Sequence, residues 1–429
     1  MKDFLLTVCM FVIFCETTIA QPKREDIYSE FVLYQKRIVL EKDLRERLIG
    51  KTFSMPLDSN TEYKFETACD AISQFLFADD AVKKGFSKLF ARYDSLEYDT
   101  RKSLLEAVYA VFPKEYMQHM QGVEEKENDP LLFAMATAYL LRNDTSTDYS
   151  NYLKIRMDEK FPGYDTIPLL GELQQYLETH TKQVTGKTPD IISLFRYQKK
   201  SGQKIIYSFQ RWNRNYPGLA IVQNADGSFV KDANGKLLVF EQLARSGSDL
   251  PYFIRNGSTP QGIYSITGTD VSHNNFIGPT PNIQLVMPFE SKWEKYFRDQ
   301  WNYSHDSLYL YHELLPENWR RYEPMMEAWN AGKIGRTEII AHGTALDPEY
   351  FKDKPFYPLT PTEGCLCAKE IWNVTSGRLD ISEQFNLISA FLSTPGNKGY
   401  LYVINLDNQQ KAVAREEVEM PVKKFDQSK

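Results

Sequence analysis

The sequence predicts an α+β chain: an N-terminal all-α domain followed by a mostly β domain that carries one helical insert. Three observations point that way. Apolar residues recur at helical spacing from Glu25 to about Asn143, strand-like alternation sets in near Lys204, and a Trp- and Tyr-rich stretch between Glu290 and Lys333 interrupts the strands.

The first element is an expected signal peptide over residues 1–20. Lys2 precedes an apolar run from Phe4 to Phe14, and Thr18-Ile19-Ala20 supplies small residues at the expected cleavage positions, with Gln21 next. The run is short of the roughly 20 residues that span a bilayer. No later segment is long and apolar enough to cross a membrane, so no integral membrane segment is expected after signal removal. Residues 21–145 read as the helical domain. Leu104, Leu105, Val108, Val111 and Phe112 form one stripe after a cap at Asp99 or Thr100, and Asp129-Pro130 opens a further helix with proline where its missing N–H costs nothing. Gly50, Pro113 and Asn143 are expected to punctuate these helices. Residues 146–199 read as a mixed connecting segment with one helix near Leu169–His180.

The second domain is expected over 200–407. Lys204–Phe209, Leu219–Val222, Gly262–Thr267, Ile283–Met287, Thr337–Ala341 and Tyr400–Asn405 read as strands. Asn224-Ala225-Asp226-Gly227 and Asp232-Ala233-Asn234-Gly235 read as turns. The insert should be helical around Pro316–Ala331. Residues 408–429 read as a charged, mobile tail.

Composition limits the function classes. The chain has 429 residues, room for about two or three domains, and its 42% hydrophobic and 14% aromatic content is enough for ordinary cores. A net charge of −6 argues against a nucleic-acid partner, which normally meets a basic face. Of the five cysteines, Cys9 and Cys15 fall in the signal segment, leaving Cys69, Cys365 and Cys367. An odd number in an exported chain points to at least one free thiol or an intermolecular bridge. Cys69 shares a helical stripe with Phe65, Ile72 and Phe75 and should be a buried apolar residue. The candidates for chemistry are Cys365 and Cys367.

Thiol acyl transfer needs a thiolate, an oriented base, and donors aimed at the developing oxyanion. Ile339-Ile340-Ala341-His342-Gly343-Thr344 supplies a histidine after an apolar run, and Thr362-Glu363-Gly364-Cys365-Leu366 supplies a cysteine behind a glycine. His342 suits the base, and Gly343 can offer a carbonyl that fixes its tautomer. Glycine at 364 allows close approach of substrate to backbone N–H groups. No cofactor or metal is called for. His305 and His312 are expected to be structural, because a zinc site would want tighter spacing or a carboxylate partner.

These pieces occur in a recognisable order. Gln242-Leu243-Ala244-Arg245-Ser246, Ser258-Thr259-Pro260-Gln261-Gly262-Ile263-Tyr264, the His342 segment and the Cys365 segment together resemble the L,D-transpeptidase catalytic-domain family over about residues 200–407. The resemblance implies a bacterial, exported and periplasmic enzyme that cross-links peptidoglycan stem peptides. It implies Cys365 as nucleophile, His342 as base, Gly343 as the orienting carbonyl, and backbone at Glu363, Gly364 and Cys365 as the oxyanion site. Thr344 and Thr362 would contact substrate. An L,D-carboxypeptidase, a D-amino-acid exchange enzyme and a catalytically silent peptidoglycan-binding module are the alternatives. The chain departs from the family at two positions. Glu363 stands where a basic residue is common, with its side chain expected to point outward. Cys367 stands where Arg or Asn is usual, and passive packing is expected. The aromatic run Trp293, Tyr296, Phe297, Trp301 and Tyr303 suits either a platform over the cleft or simple packing. The oligomeric state is not legible.

Overall fold

The computed structural model describes residues 23–181 and 187–428. The expected signal peptide, with Cys9 and Cys15, lies outside the described residues. Among the described residues no helix is long and apolar enough to cross a membrane.

Helices fill the N-terminal part. A run over 34–54 is continuously helical, and its middle, Asp43–Lys51, widens to π-winding. Gly50 therefore sits inside a helix and does not punctuate one. Glu62–Phe75, Asp80–Phe90, Tyr98–Val111, Met117–Lys126 and Pro130–Asn143 follow. Asp129 caps the last of these, its Oδ1 accepting from the N–H groups of Leu131 and Leu132 at 2.9 and 3.0 Å, as the Asp-Pro pair predicts. Tyr98–Val111 starts earlier than expected, with Glu97 at its N-cap position. Cys69 is fully buried in Glu62–Phe75.

The connecting segment is corrected. Among the described residues, 146–201 hold three α-helices, Thr147–Lys160, Pro168–Thr181 and Ile191–Ser201. The first two belong to the helical core, to which they contribute Leu153, Met157, Leu170, Leu173 and Leu177. Ser146 and Asp190 cap Thr147–Lys160 and Ile191–Ser201 through their side chains.

Ten strands follow: β1 (Ile205–Gln210), β2 (Gly218–Gln223), β3 (Phe240–Leu243), β4 (Gly262–Asp270), β5 (Asn282–Val286), β6 (Ala341–His342), β7 (Leu366–Ala368), β8 (Glu370–Trp372), β9 (Leu379–Ser382) and β10 (Gly399–Asn405). Eight close into a barrel in the order β1-β10-β4-β5-β6-β7-β3-β2, and β8 and β9 form a separate hairpin. Pairing is parallel between β1 and β10 and between β6 and β7, and antiparallel elsewhere in the barrel.

Alternation along the strands builds two cores. Ile206, Tyr264, Leu401, Ala341 and Leu366 pack with Leu387, Ile388 and Phe391 of the helix Glu383–Phe391. The opposite faces of β1, β2 and β10, with Tyr207, Phe209, Ile221 and Tyr402, meet the insert and the helices Ile191–Ser201 and Arg415–Gln427. The C-terminal segment is thus no mobile tail: Val418, Val422 and Phe425 are buried. Arg211, fully buried, anchors the segment by ion pairs to Asp407 at 2.8 Å and Glu417 at 2.6 Å. The charges seen in the sequence occupy the other face of an amphipathic helix.

The two regions share one core. Leu243 at the end of β3, with Leu250, Phe253, Leu346, Phe351 and Phe356 from the connections of the β region, packs into the helical cluster. Arg142 pairs with Asp249 across the join at 3.4 Å.

Phe425 sits edge-on to Phe195 and Phe229, with ring centroids 5.9 and 5.7 Å away. We expect Phe425→Ala to destabilise the barrel by about 3 kcal/mol, read as a lower denaturant midpoint. An unchanged midpoint would restore the mobile-tail reading.

Candidate active site

The expected strand over Thr337–Ala341 is shortened to Ala341–His342 because Glu338 adopts left-handed backbone, with φ +64°. A non-glycine residue there stores strain and breaks the ladder. The turn is held by Glu338 N–H, which donates to Glu290 Oε1 at 2.8 Å. β6 then runs parallel to β7, with Ala341 opposite Leu366 and His342 opposite Cys367. Cys365 lies one residue before β7, level with Ile340.

The family-like segments converge on this point. Thr362 bridges to Ser246. Thr259 Oγ1 donates to Gly364 O at 2.9 Å, and Ser258 Oγ accepts from Ser246 N–H at 3.2 Å. Gly364 has φ +119°. A Cβ there would lie 2.4 Å from Arg336 Nη2 and 2.8 Å from Gly257 O, so only glycine fits.

Cys365 and His342 line one cleft of about 300 Å³. His342 is buried, and its Nδ1 lies 2.5 Å from Gly343 O. The carbonyl can only accept, so Nδ1 carries the proton and Nε2 is left as the free base. Burial lowers His342 to about 4, against a smaller opposing effect of the Gly343 bond. The imidazole is therefore neutral at pH 7, the state a base requires. Cys365 is partly buried. Its Sγ accepts from Ile340 N–H at 3.4 Å and donates to Glu338 O at 3.6 Å. Among the described residues no hydrogen bond joins it to His342. Burial raises the thiol to about 11; the Ile340 N–H and Arg336 oppose that, while Glu363 and Glu338 reinforce it.

Several expectations are corrected. Gly364 N–H is spent on Thr362 Oγ1 at 3.0 Å, while that hydroxyl donates to Cys365 O at 2.9 Å. Thr362 therefore shapes the loop, and the oxyanion donor left at the nucleophile is Cys365 N–H, which has no hydrogen-bond partner among the described residues. Thr344 is buried, and its hydroxyl donates to Phe276 O and accepts from Leu346 N–H, so it too holds the loop, while both threonines still line the cleft expected to meet substrate. Glu363 is exposed, in keeping with an outward side chain, yet it also lines the rim of the cleft that holds Cys365, where partial desolvation followed by Asp70 raises it. Cys367 is buried and passive, its Sγ 3.6 Å from Thr360 Oγ1. Residues two apart on a regular strand share a face. Cys365 precedes the strand at the Gly364 break, which lets the two thiols differ in surroundings.

Sequence reasoning missed three groups. The cleft is walled on one side by the helical region, through Glu66, Asp70, Lys102 and Glu106. The aromatic insert contributes nothing to it. Instead, Trp293 stacks on Trp329 at 5.6 Å, and Tyr296 Oη donates to Ile263 O at 2.8 Å. The second group is Arg336, 5% exposed, which donates to the carbonyls of Tyr252, Gly257 and Ser258 and has no carboxylate in its hydrogen bonds. The third is Glu370, buried behind Gly343. The helical wall is remote in sequence, whereas Arg336 and Glu370 lie within six residues of His342 and Cys365 but take their roles from packing that no local pattern shows. His305 stacks on Tyr309 at 4.8 Å. Among the described residues no group of His, Cys, Asp or Glu is placed to hold a metal ion.

No family model matches the chain, and neither a curated protein nor a solved structure matches it. The site is read from its own geometry.

With its thiol near 11, Cys365 should be alkylated by iodoacetamide at a rate that climbs from about pH 7 to about pH 10 without levelling off at an ordinary thiol value near 8.5. Arg336→Met should slow the reaction about tenfold at pH 8, and Arg336→Lys less. Peptide mass mapping assigns the adduct. Equal rates in the Arg336→Met variant and the parent would show that the guanidinium does not act on the sulfur.

Proposed function

We propose that this chain is an exported, periplasmic cysteine-dependent L,D-transpeptidase acting on peptidoglycan stem peptides. The observation that carries the reading is the shared cleft, where Cys365 stands beside a neutral His342 whose proton is fixed on Nδ1 by Gly343 O. The resemblance of the surrounding segments supplies the substrate class.

The chemistry has two halves. His342 Nε2 takes the Cys365 proton and Sγ attacks the carbonyl beside a terminal D-alanine. A thioester forms, the C–N bond breaks, and the imidazolium returns its proton to the departing amine. An amine of a second stem peptide then attacks the thioester, restoring the thiol and making a 3→3 cross-link. Cys365 N–H is the donor placed for the oxyanion in both halves. The thiol must first leave Glu338 O and turn to His342, as catalytic bonds often tighten only when substrate binds.

The cleft wall suits an amine acceptor. Glu66, Asp70 and Glu363 line it against one cation, Lys102, a polarity that attracts an ammonium group, while Glu106, raised to about 8 by burial, adds little charge at neutral pH. Water in the acceptor's place would give a carboxypeptidase, and a free D-amino acid would give exchange. The raised thiol and the missing His342 bond favour the silent binding module, and the first experiment decides against or for it.

Incubation with a carbapenem should add one covalent adduct by intact mass, lost in Cys365→Ala and kept in Cys367→Ala. No adduct on any variant would place the silent module first. With stem tetrapeptides, Asp70→Asn should raise the ratio of hydrolysis to cross-linked dimer by about threefold or more, because the acceptor ammonium loses a partner. An unchanged ratio would remove the helical wall from acceptor selection.

A further inference from the structure

Glu370 is 3% exposed and sits at the start of β8, against the back of the His342 loop. Its Oε2 accepts from Thr344 N–H at 2.9 Å, and its Oε1 accepts from Ser382 Oγ at 2.6 Å. Ser382 caps the helix Glu383–Phe391, its Oγ also accepting from Phe385 N–H at 2.8 Å. A Cβ on Gly343 would lie 2.1 to 2.4 Å from the Glu370 carboxyl, so the glycine is what lets the acid approach.

The Thr344 N–H and the Gly343 C=O belong to one peptide group. An acceptor pulling on that N–H puts more negative charge on the carbonyl oxygen, and that oxygen is the partner of His342 Nδ1. The chain of contacts therefore runs from imidazole to peptide to carboxylate, and on to the Ser382 hydroxyl. A catalytic triad holds its acid directly on the imidazole N–H; here one peptide stands between.

We propose that Glu370 is the positioning acid of His342, acting through the Gly343–Thr344 peptide. It holds the Nδ1–H tautomer and stabilises the imidazolium that forms when the Cys365 proton moves to Nε2. No proton reaches Glu370. The proposal rests on the reading of Cys365 and His342 as nucleophile and base.

The setting leaves Glu370 without a charged partner, so its ionisation follows pH. The titratable neighbour facing Glu370 is the Cys367 thiol, itself raised to about 12 and neutral. Thr280, Thr344 and Ser382 around it are also neutral. Burial raises Glu370 to about 8, so its charge, and with it the help given to His342, grows as pH rises through that value.

A double-mutant cycle on the full chain tests this at about pH 9. The probe is iodoacetamide, which needs only an activated thiol, with Cys365 alkylation followed by mass. Glu370→Gln should slow alkylation about tenfold when His342 is present and not at all in His342→Ala. Glu370→Asp, which keeps the charge but shortens the reach, should fall between. The Glu370→Gln variant should also move the His342 Nδ1 proton resonance. Equal loss from Glu370→Gln in both backgrounds would reduce Glu370 to a structural role and overturn the proposal, as would no loss in either. If His342→Ala alone leaves the rate unchanged, the dyad itself fails, and Glu370 has no base to position.

Discussion

The parallel ladder between β6 and β7 is two residue pairs long, and the placement of His342 and Cys365 on one cleft depends on it. A ladder that short cannot hold its own register; the side chains around it do so. Gln384 Nε2 donates to Ala341 O at 2.8 Å, and Trp372 Nε1 donates to Thr344 O at 2.8 Å, from elements beyond the barrel. On the other strand, Thr259 and Thr362 fasten the carbonyls of Gly364 and Cys365. The hairpin β8-β9 and the helix after it are thus the back wall of the site. Their contacts on Ala341 and Thr344 leave the His342 side chain on the cleft side.

Opposed electrostatic effects meet at the sulfur. Burial acts first, raising the thiol and lowering the imidazole, so the resting pair is neutral on both sides. A separated thiolate and imidazolium would each need compensation in a site that is partly dry. Arg336 offers some to the thiolate, since its charge is met only by carbonyl dipoles and its Nη2 lies under the Gly364 backbone. Glu363 works the other way. The balance explains why the thiol rests on Glu338 O: a neutral S–H can donate to a backbone carbonyl, and a thiolate cannot.

Much of the fold was legible because its signals are local. The Asp129-Pro130 start, the Cys69 stripe and the longer strands β1, β2, β4, β5 and β10 each carry their pattern within a few residues. β3, β7, β8 and β9 have three or four residues each, too few to show a period, and are fixed by pairing with distant partners. Arg415–Gln427 reads as a tail because its surface charges outnumber the three residues it buries. Tertiary contacts also reassigned the hydroxyls of Thr344 and Thr362, which the motif alone would send to substrate. His342 and Cys365 were visible only as two separate motifs; the register that brings them to one cleft, and Glu370 and Arg336 around them, belong to long-range packing.

The helical region is the element whose purpose the sequence left blank, and its packing supplies an argument. Its core includes loop residues of the β region, so the two do not fold as beads on a string. Glu106, 7% exposed, accepts from Asn256 Nδ2 at 3.2 Å. Asn256 holds a left-handed φ of +60° in the same loop that carries Gly257 and Ser258 beneath Gly364. A carboxylate from a helix thereby braces the loop on which Arg336 and the nucleophile turn rest. Burying an acid there is unfavourable, and burial raises Glu106 to about 8; the fold accepts that cost where the helices meet the cleft. Such a join ties the shape of the cleft to the docking of the helices, so a change in one is transmitted to the loop that positions Cys365.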